Sequence, residues 1–224
     1  MKRSYLLFPI LFLAFLIYSC DTTESDSDPN DLGGDPNVGI GQVGNVVSTG
    51  QVTIGNNSYD IGGEFEVISN NNGVATLQVK ADLRQVPELE AFNNFIPASM
   101  KDASGRINTT INFKVTSEGM QDNMNADGKL HTLVKYDANV GDQYKLTTSN
   151  GKTITRTVTE KTNQDDFPYG FYNIKTIKVE QDSRVPGIRG FVYRLNHRFG
   201  LVFVEIIMED GSTAKLYLYS QNEN

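Results

Sequence analysis

The feature that most restricts the fold is a two-residue alternation of apolar and polar side chains, broken at short intervals by turn-forming residues. Ala75, Leu77, Val79 and Ala81 alternate with Thr76, Gln78 and Lys80; Ile111, Phe113 and Val115 alternate with Asn112, Lys114 and Thr116. Successive side chains of a strand point to opposite faces, so each run reads as a strand with one buried face. Gly55-Asn56-Asn57, Asn70-Asn71-Asn72-Gly73, Asp127-Gly128, Gly141-Asp142, Ser149-Asn150-Gly151 and Asp210-Gly211 separate such runs. Asn-Gly and Asp-Gly accept the positive φ of two-residue hairpin turns. Residues 144–148 and 152–159 therefore pair about Asn150-Gly151, and 201–208 and 213–219 about Asp210-Gly211.

Strands are expected near 50–54, 58–68, 74–82, 107–117, 129–136, 143–148, 152–161, 171–182, 188–197, 200–208 and 213–219. The run 201–207 is apolar on both faces except at Glu205, as in a strand covered on both sides. Between Ile174 and Val179 the alternation changes phase, which predicts a bulge. One short helix is expected near 87–96. Pro87 suits its first position, Glu88 and Glu90 its first turn, and Leu89, Phe92 and Ile96 share a face before Pro97 ends it. The fold class is thus mainly β, either an antiparallel sandwich or a strongly curved, half-barrel-like sheet with that helix across it.

The N-terminus says where such a domain resides. Lys2 and Arg3 precede an apolar run from Tyr5 to Tyr18, shorter than a membrane span needs. The one cysteine of the chain, Cys20, follows Ile17-Tyr18-Ser19. This stretch resembles the bacterial lipobox. The resemblance implies that residues 1–19 are a signal peptide, that Cys20 is acylated, and that the chain is held on a membrane through those acyl chains. Residues 20–46 read as a disordered acidic tether, because Asp21, Glu24, Asp26, Asp28, Asp31 and Asp35 alternate with Ser, Thr, Pro, Asn and Gly. The acidic stretch after Cys20 resembles the surface-export signal of lipoproteins from Bacteroidota, which favours the outer membrane, with exposure at the cell surface. The remaining residues 47–224 are expected to form a single domain.

Charge excludes one class of partner. Removing residues 1–19 takes the formal charge from −7 to −9. From Lys80 onward the 18 Lys and Arg balance the 18 Asp and Glu, so no nucleic-acid footprint is present. No cofactor is expected either: the chain has no Gly-x-Ser-x-Gly, His-Glu-x-x-His, Walker or Gly-x-Gly-x-x-Gly motif. Two histidines, His131 and His197, are few for a zinc site or a triad and read as ordinary strand or turn residues. Glu205, in its apolar strand, is either an acid with a raised pKa or a surface residue paired with Arg194 or Arg198.

Two stretches are candidate sites. Asn123, Asn125 and Asp127, with Gly128 and Leu130, resemble the first half of an EF-hand or dockerin calcium loop. Val134 stands where the bidentate glutamate belongs, so an Asp-Gly turn is the simpler reading. Phe167, Tyr169, Phe171 and Tyr172 form the densest aromatic patch, suited to stacking on a sugar or lining an apolar pocket, or to anchoring the next strand in the core. Residues 136–144, 154–161, 171–179 and 199–202 resemble a pattern in uncharacterised bacterial lipoproteins, with Val140-Gly141-Asp142-Gln143-Tyr144 opening a long sheet. In architecture alone the body resembles periplasmic lipid-carrier half-barrels.

The expected function is a non-enzymatic binding or structural role in the cell envelope, with an apolar or amphipathic small molecule in the concave face of the sheet. The alternatives are a glycan-acting hydrolase using a carboxylate pair, and an interaction subunit of an outer-membrane complex with a protein partner.

Overall fold

The computed structural model describes residues 30–183 and 185–224. The signal segment 1–19, Cys20 and the tether as far as residue 29 lie outside the described residues. In chain order the strands are β1 (Val46–Thr49), β2 (Val52–Ile54), β3 (Asn57–Tyr59), β4 (Glu64–Asn71), β5 (Val74–Ala81), β6 (Ile107–Thr116), β7 (Gly119–Asp122) and β8 (His131–Lys135). They continue with β9 (Gln143–Thr147), β10 (Thr153–Lys161), β11 (Phe167–Tyr169), β12 (Tyr172–Ile174), β13 (Ile177–Asp182), β14 (Ile188–Asn196), β15 (Gly200–Met208) and β16 (Thr213–Ser220). The one α-helix among the described residues, α1 (Glu90–Phe95), follows a 3₁₀ turn at Pro87–Leu89.

A single antiparallel sheet carries the order β8-β7-β6-β5-β4-β1-β16-β15-β14-β13-β10-β9 and curls into a nearly closed barrel. The curved-sheet expectation therefore holds over the sandwich. Short β1 pairs with β4 on one side and β16 on the other, so it joins two meanders into one wall. β2 and β3 form a side ribbon on β16, and β11 and β12 form a separate hairpin.

Three cores hold this arrangement. The largest fills the lower barrel with Val38, Ile40, Phe113, Val115, Met120, Leu133, Val158, Val179 and Leu195. The second closes the upper end: Leu83, Val86 and Leu89 of the helical segment are buried with Val52, Ile54, Ala81 and Met208, and Phe92 and Ile96 pack beside them. The expected apolar stripe of the helix thus faces the barrel as a lid. The third core lies outside the wall, where Tyr169 and Ile174 of the β11–β12 hairpin cover Phe199, Val202 and Phe203.

Several boundaries differ from the sequence reading. Residues 30–45 are not loose tether: Leu32, Val38 and Ile40 are buried, because apolar side chains among the acids find the lower core. The run 58–68 divides at Gly62 and Gly63, and Gly62 takes a φ of +53° that turns the chain between β3 and β4. At 174–177 the chain leaves the β11–β12 hairpin and enters the barrel, which explains the phase change there. The bulge lies opposite, between Val158 and Glu160 of β10. Three short strands, β1, β7 and β11, were not among those expected.

Candidate binding chamber

Register defines the inner wall. Val158, Val179, Tyr193, Val204 and Leu216 lie side by side across β10, β13, β14, β15 and β16. One rung higher run Arg156, Gln181, Phe191, Ile206 and Ala214. On the opposite wall Phe65, Val79 and Thr109 lie side by side across β4, β5 and β6, and so do Val67, Leu77 and Ile111. These faces alternate with polar outer ones such as Glu64, Gln78, Lys80, Asn108 and Thr110.

Between the lower core and the lid this wall is not fully covered. Phe65, Leu77, Ile111, Phe191, Val204, Ile206 and Leu216 all point inward yet remain only half-buried. Close-packed interiors leave few voids, so a ring of partly accessible inward apolar side chains outlines unfilled space. Its polar members are Thr109 and Gln181, both half-buried. These side chains outline a candidate apolar chamber between the lower core, against which Leu77, Ile111, Phe191 and Val204 pack, and the lid core, against which Ile206 and Leu216 pack. A separate open depression of about 350 Å³ at the lower end is lined by Pro36, Asn37, Val38, Gln42, Val43, Asn70, Asn72 and Gly73.

The charged groups at this level are locked into the seam where β8 meets β9. No ladder joins these two strands among the described residues. Arg156 spans the gap: Nη2 donates to Asp122 Oδ2 at 2.8 Å, Nη1 to the His131 and Thr132 carbonyls at 3.0 and 3.2 Å, and Nε to Gln181 Oε1 at 2.7 Å. His131 donates through Nε2 to the Tyr144 carbonyl at 3.1 Å, and the Tyr144 hydroxyl accepts from the Lys135 N–H. Burial, with Arg156 nearby, pushes the His131 pKa down to about 4, so the imidazole is neutral. Its Nδ1 is buried without a hydrogen-bond partner, as is the Tyr136 hydroxyl, whose pKa burial raises. Burial also pushes Tyr193, beside Arg156, up to about 12. From outside, Asn30 bridges the same strands, accepting from the Thr132 N–H at 3.1 Å and donating to the Lys145 carbonyl at 2.9 Å.

The residues singled out in the sequence are distributed as follows. The aromatic patch divides. Tyr169 is buried on the outer face of the wall, where its hydroxyl accepts from the Ser220 N–H, and Phe167 lies under the Arg194 guanidinium at 5.0 Å. Tyr172 is half-exposed and Phe171, at the hairpin tip, is fully exposed. None of the four faces the chamber. Asn123, Asn125 and Asp127 do not converge. Asn123 Oδ1 accepts from the Asn112 N–H, Asn125 Oδ1 from two N–H groups of its own turn, and the Asp127 carboxylate from Ser149 N and Oγ. No group of three His, Cys, Asp or Glu suited to a metal occurs among the described residues. Glu205 lies on the outer face, 3.9 Å from Lys215 rather than beside Arg194 or Arg198. His197 meets the edge of the Tyr136 ring. Arg156, Asp122 and Phe191 were missed. The available signal was Arg156 itself, which stands in phase with Ile154 and Val158 on an otherwise apolar face.

No family model, no curated protein and no solved structure matches this chain.

Proposed function

We propose that this protein is a lipid-anchored holder or carrier of an apolar or amphipathic small molecule in the cell envelope, with the ligand seated in the barrel chamber. The anchor at Cys20 rests on the resemblance of residues 17–20 to a lipobox, the tether on the acidic, polar composition that follows, and the outer-membrane location on the resemblance of that acidic stretch to a surface-export signal. The ligand class rests on one observation: seven inward apolar side chains, Phe65, Leu77, Ile111, Phe191, Val204, Ile206 and Leu216, are left half-buried between core and lid. The inner charges support the same reading, since Asp122 and Arg156 neutralise each other and the guanidinium's donors are engaged by the protein. Such a cavity favours alkyl or aromatic surface over charged ligands. A second reading, an interaction subunit, is favoured by the fully exposed Phe171.

The test is native mass spectrometry of the chain from Asp21 onward, which retains every described element and all three cores. A bound mass, lost on denaturation and identified as a lipid or other apolar molecule, is the expected result. An apo mass that stays unchanged after incubation with fatty acids and phospholipids removes the carrier reading.

A further inference from the structure

Among the described residues the barrel wall is also incomplete along β6. β6 runs from Ile107 to Thr116, but β7 pairs only with Phe113–Thr116. The upper edge of β6, residues 108–112, therefore has no neighbouring strand among the described residues. Between that edge and the β9–β10 hairpin the wall consists of a loop, residues 123–130. Side chains pin this loop at its two flanks. Asn123 Oδ1 takes the Asn112 N–H at 3.2 Å, where a strand carbonyl would otherwise sit. Across the gap, the Asp127 carboxylate accepts from Ser149 N at 2.8 Å and Ser149 Oγ at 2.6 Å. Inside the loop, Asn125 closes the turn on Lys129. Thr109, Ile111 and Leu77, all half-buried members of the chamber wall, lie on and next to the unpaired stretch.

We propose that the 123–130 loop is the movable panel of a side opening into the chamber, and that the Asp127–Ser149 contact is its latch. The inference rests on the carrier reading and names the route and the ligand class. A panel held by side-chain hydrogen bonds opens at lower cost than a strand held by a backbone ladder. The lid is a poorer route, because Leu83, Val86 and Leu89 are buried in its contact with the barrel. The rim of the opening carries Arg106, Lys129, Lys145 and Lys152, all exposed, against Asp102 and Asp127, and Asp127 is already engaged by Ser149 and Lys129. An acyl chain in the chamber with an anionic head left at this rim fits that charge.

The experiment uses the chain from Asp21 onward, which contains no native cysteine. Asp127→Cys with Ser149→Cys cross-links the latch on oxidation; Tyr59→Cys with Glu88→Cys, whose native hydroxyl and carboxylate are 3.0 Å apart at the ends of long side chains, is joined by a bis-maleimide and cross-links the lid. Uptake of dansyl-undecanoate is followed by stopped-flow fluorescence. The oxidised latch variant is expected to load at least tenfold more slowly and to recover on reduction, while the cross-linked lid variant loads at the unmodified rate. Asp127→Ala, free of any cross-link, is expected to load several-fold faster with an unchanged Kd. Lys129→Ala with Lys152→Ala weakens dansyl-undecanoate several-fold but leaves the neutral probe N-phenyl-1-naphthylamine unaffected. Slow loading in the lid variant alone, or unchanged loading in both, overturns the side opening. Equal loss of both probes in the lysine variant overturns the anionic head. If the unmodified chain takes up neither probe, the carrier reading itself falls.

Discussion

Arg156 Nη2 lies 2.8 Å from Asp122 Oδ2, with both side chains buried, at the place where the barrel wall has no hydrogen-bonded ladder. A guanidinium offers donors in a planar fork. Here that fork reaches from β10 behind β9 to two carbonyls of β8 and a carboxylate of β7. Removing one partner strands the other charge in the interior. Asp122→Ala or Arg156→Ala should therefore lose about 3–5 kcal/mol of stability. Arg156→Lys should rescue little, since a single ammonium cannot span those acceptors. The double change Asp122→Leu with Arg156→Met should cost much less than either single change, because it leaves no buried charge. Urea unfolding of the four variants decides this; additive losses in the double variant would refute the clamp.

The same seam makes stability depend on pH. His131 is fully buried, its pKa is pushed from 6.5 down to about 4 by burial and by Arg156, and the Tyr144 carbonyl opposes this only in part. In the unfolded chain the imidazole takes a proton near pH 6.5, while in the folded chain it stays neutral until about pH 4. The unfolded state binds more protons within that window, so stability is fully present above about pH 6.5 and falls as pH drops towards 4. The loss amounts to at most about 3 kcal/mol. His131→Gln should flatten this part of a stability-versus-pH curve measured by denaturant unfolding. An unchanged slope between pH 6.5 and 4 would show that other groups set it.

How far the sequence foretold these features depends on whether local or long-range physics decides them. The hairpins at Asn150-Gly151 and Asp210-Gly211 lie where turn chemistry puts them, since β9–β10 and β15–β16 flank those residues. The lid was legible because Pro87 and the Leu89, Phe92 and Ile96 stripe are local signals. β7 was not, for it has four residues, begins with Gly119, and is buried at every position, so it shows no alternation. Gly119 itself is required, because a Cβ there would lie 2.2 Å from the Val134 carbonyl oxygen on β8. The seam was equally invisible. Asp122 and Arg156 are 34 residues apart, and only the curl of the whole sheet brings them together. The calcium-like spacing of Asn123, Asn125 and Asp127 has a different outlet, in capping a sheet edge and latching a hairpin.

The aromatic patch should behave as two groups. Tyr169 contacts Phe199 and Tyr219 rings at 4.9 and 5.2 Å and is buried. Tyr169→Ala should cost about 3–5 kcal/mol, as other buried aromatic truncations do. Phe171 touches solvent on all sides, so Phe171→Ser should change stability by less than about 0.5 kcal/mol. Any role of Phe171 would then register in partner capture alone, and thermal unfolding of the two variants separates the groups.

The proposed lipidation is tested at Cys20. Cys20→Ala should yield an uncleaved precursor that incorporates no palmitate probe, whereas the parent chain is labelled and migrates faster. Labelling of the variant at the parental level would remove the anchor while leaving the chamber reading untouched.

The chamber itself is tested by filling it. In a close-packed core, added methylenes or a ring force neighbours off their rotamers and cost about 1–3 kcal/mol. Val158 is fully buried in the lower core, and Val158→Phe should incur that cost. Ile111 faces inward one level above it and is half-buried, so its neighbours on that side leave room. Ile111→Phe should therefore lose less than about 1 kcal/mol, since the ring would enter unfilled space and gain apolar contact there. The same ring should compete with a bound acyl chain and weaken dansyl-undecanoate by tenfold or more. Urea unfolding and probe titration on one preparation give both readings. A destabilisation equal to that of Val158→Phe would mean that the wall around Ile111 is closed, and that no chamber exists for a ligand to occupy.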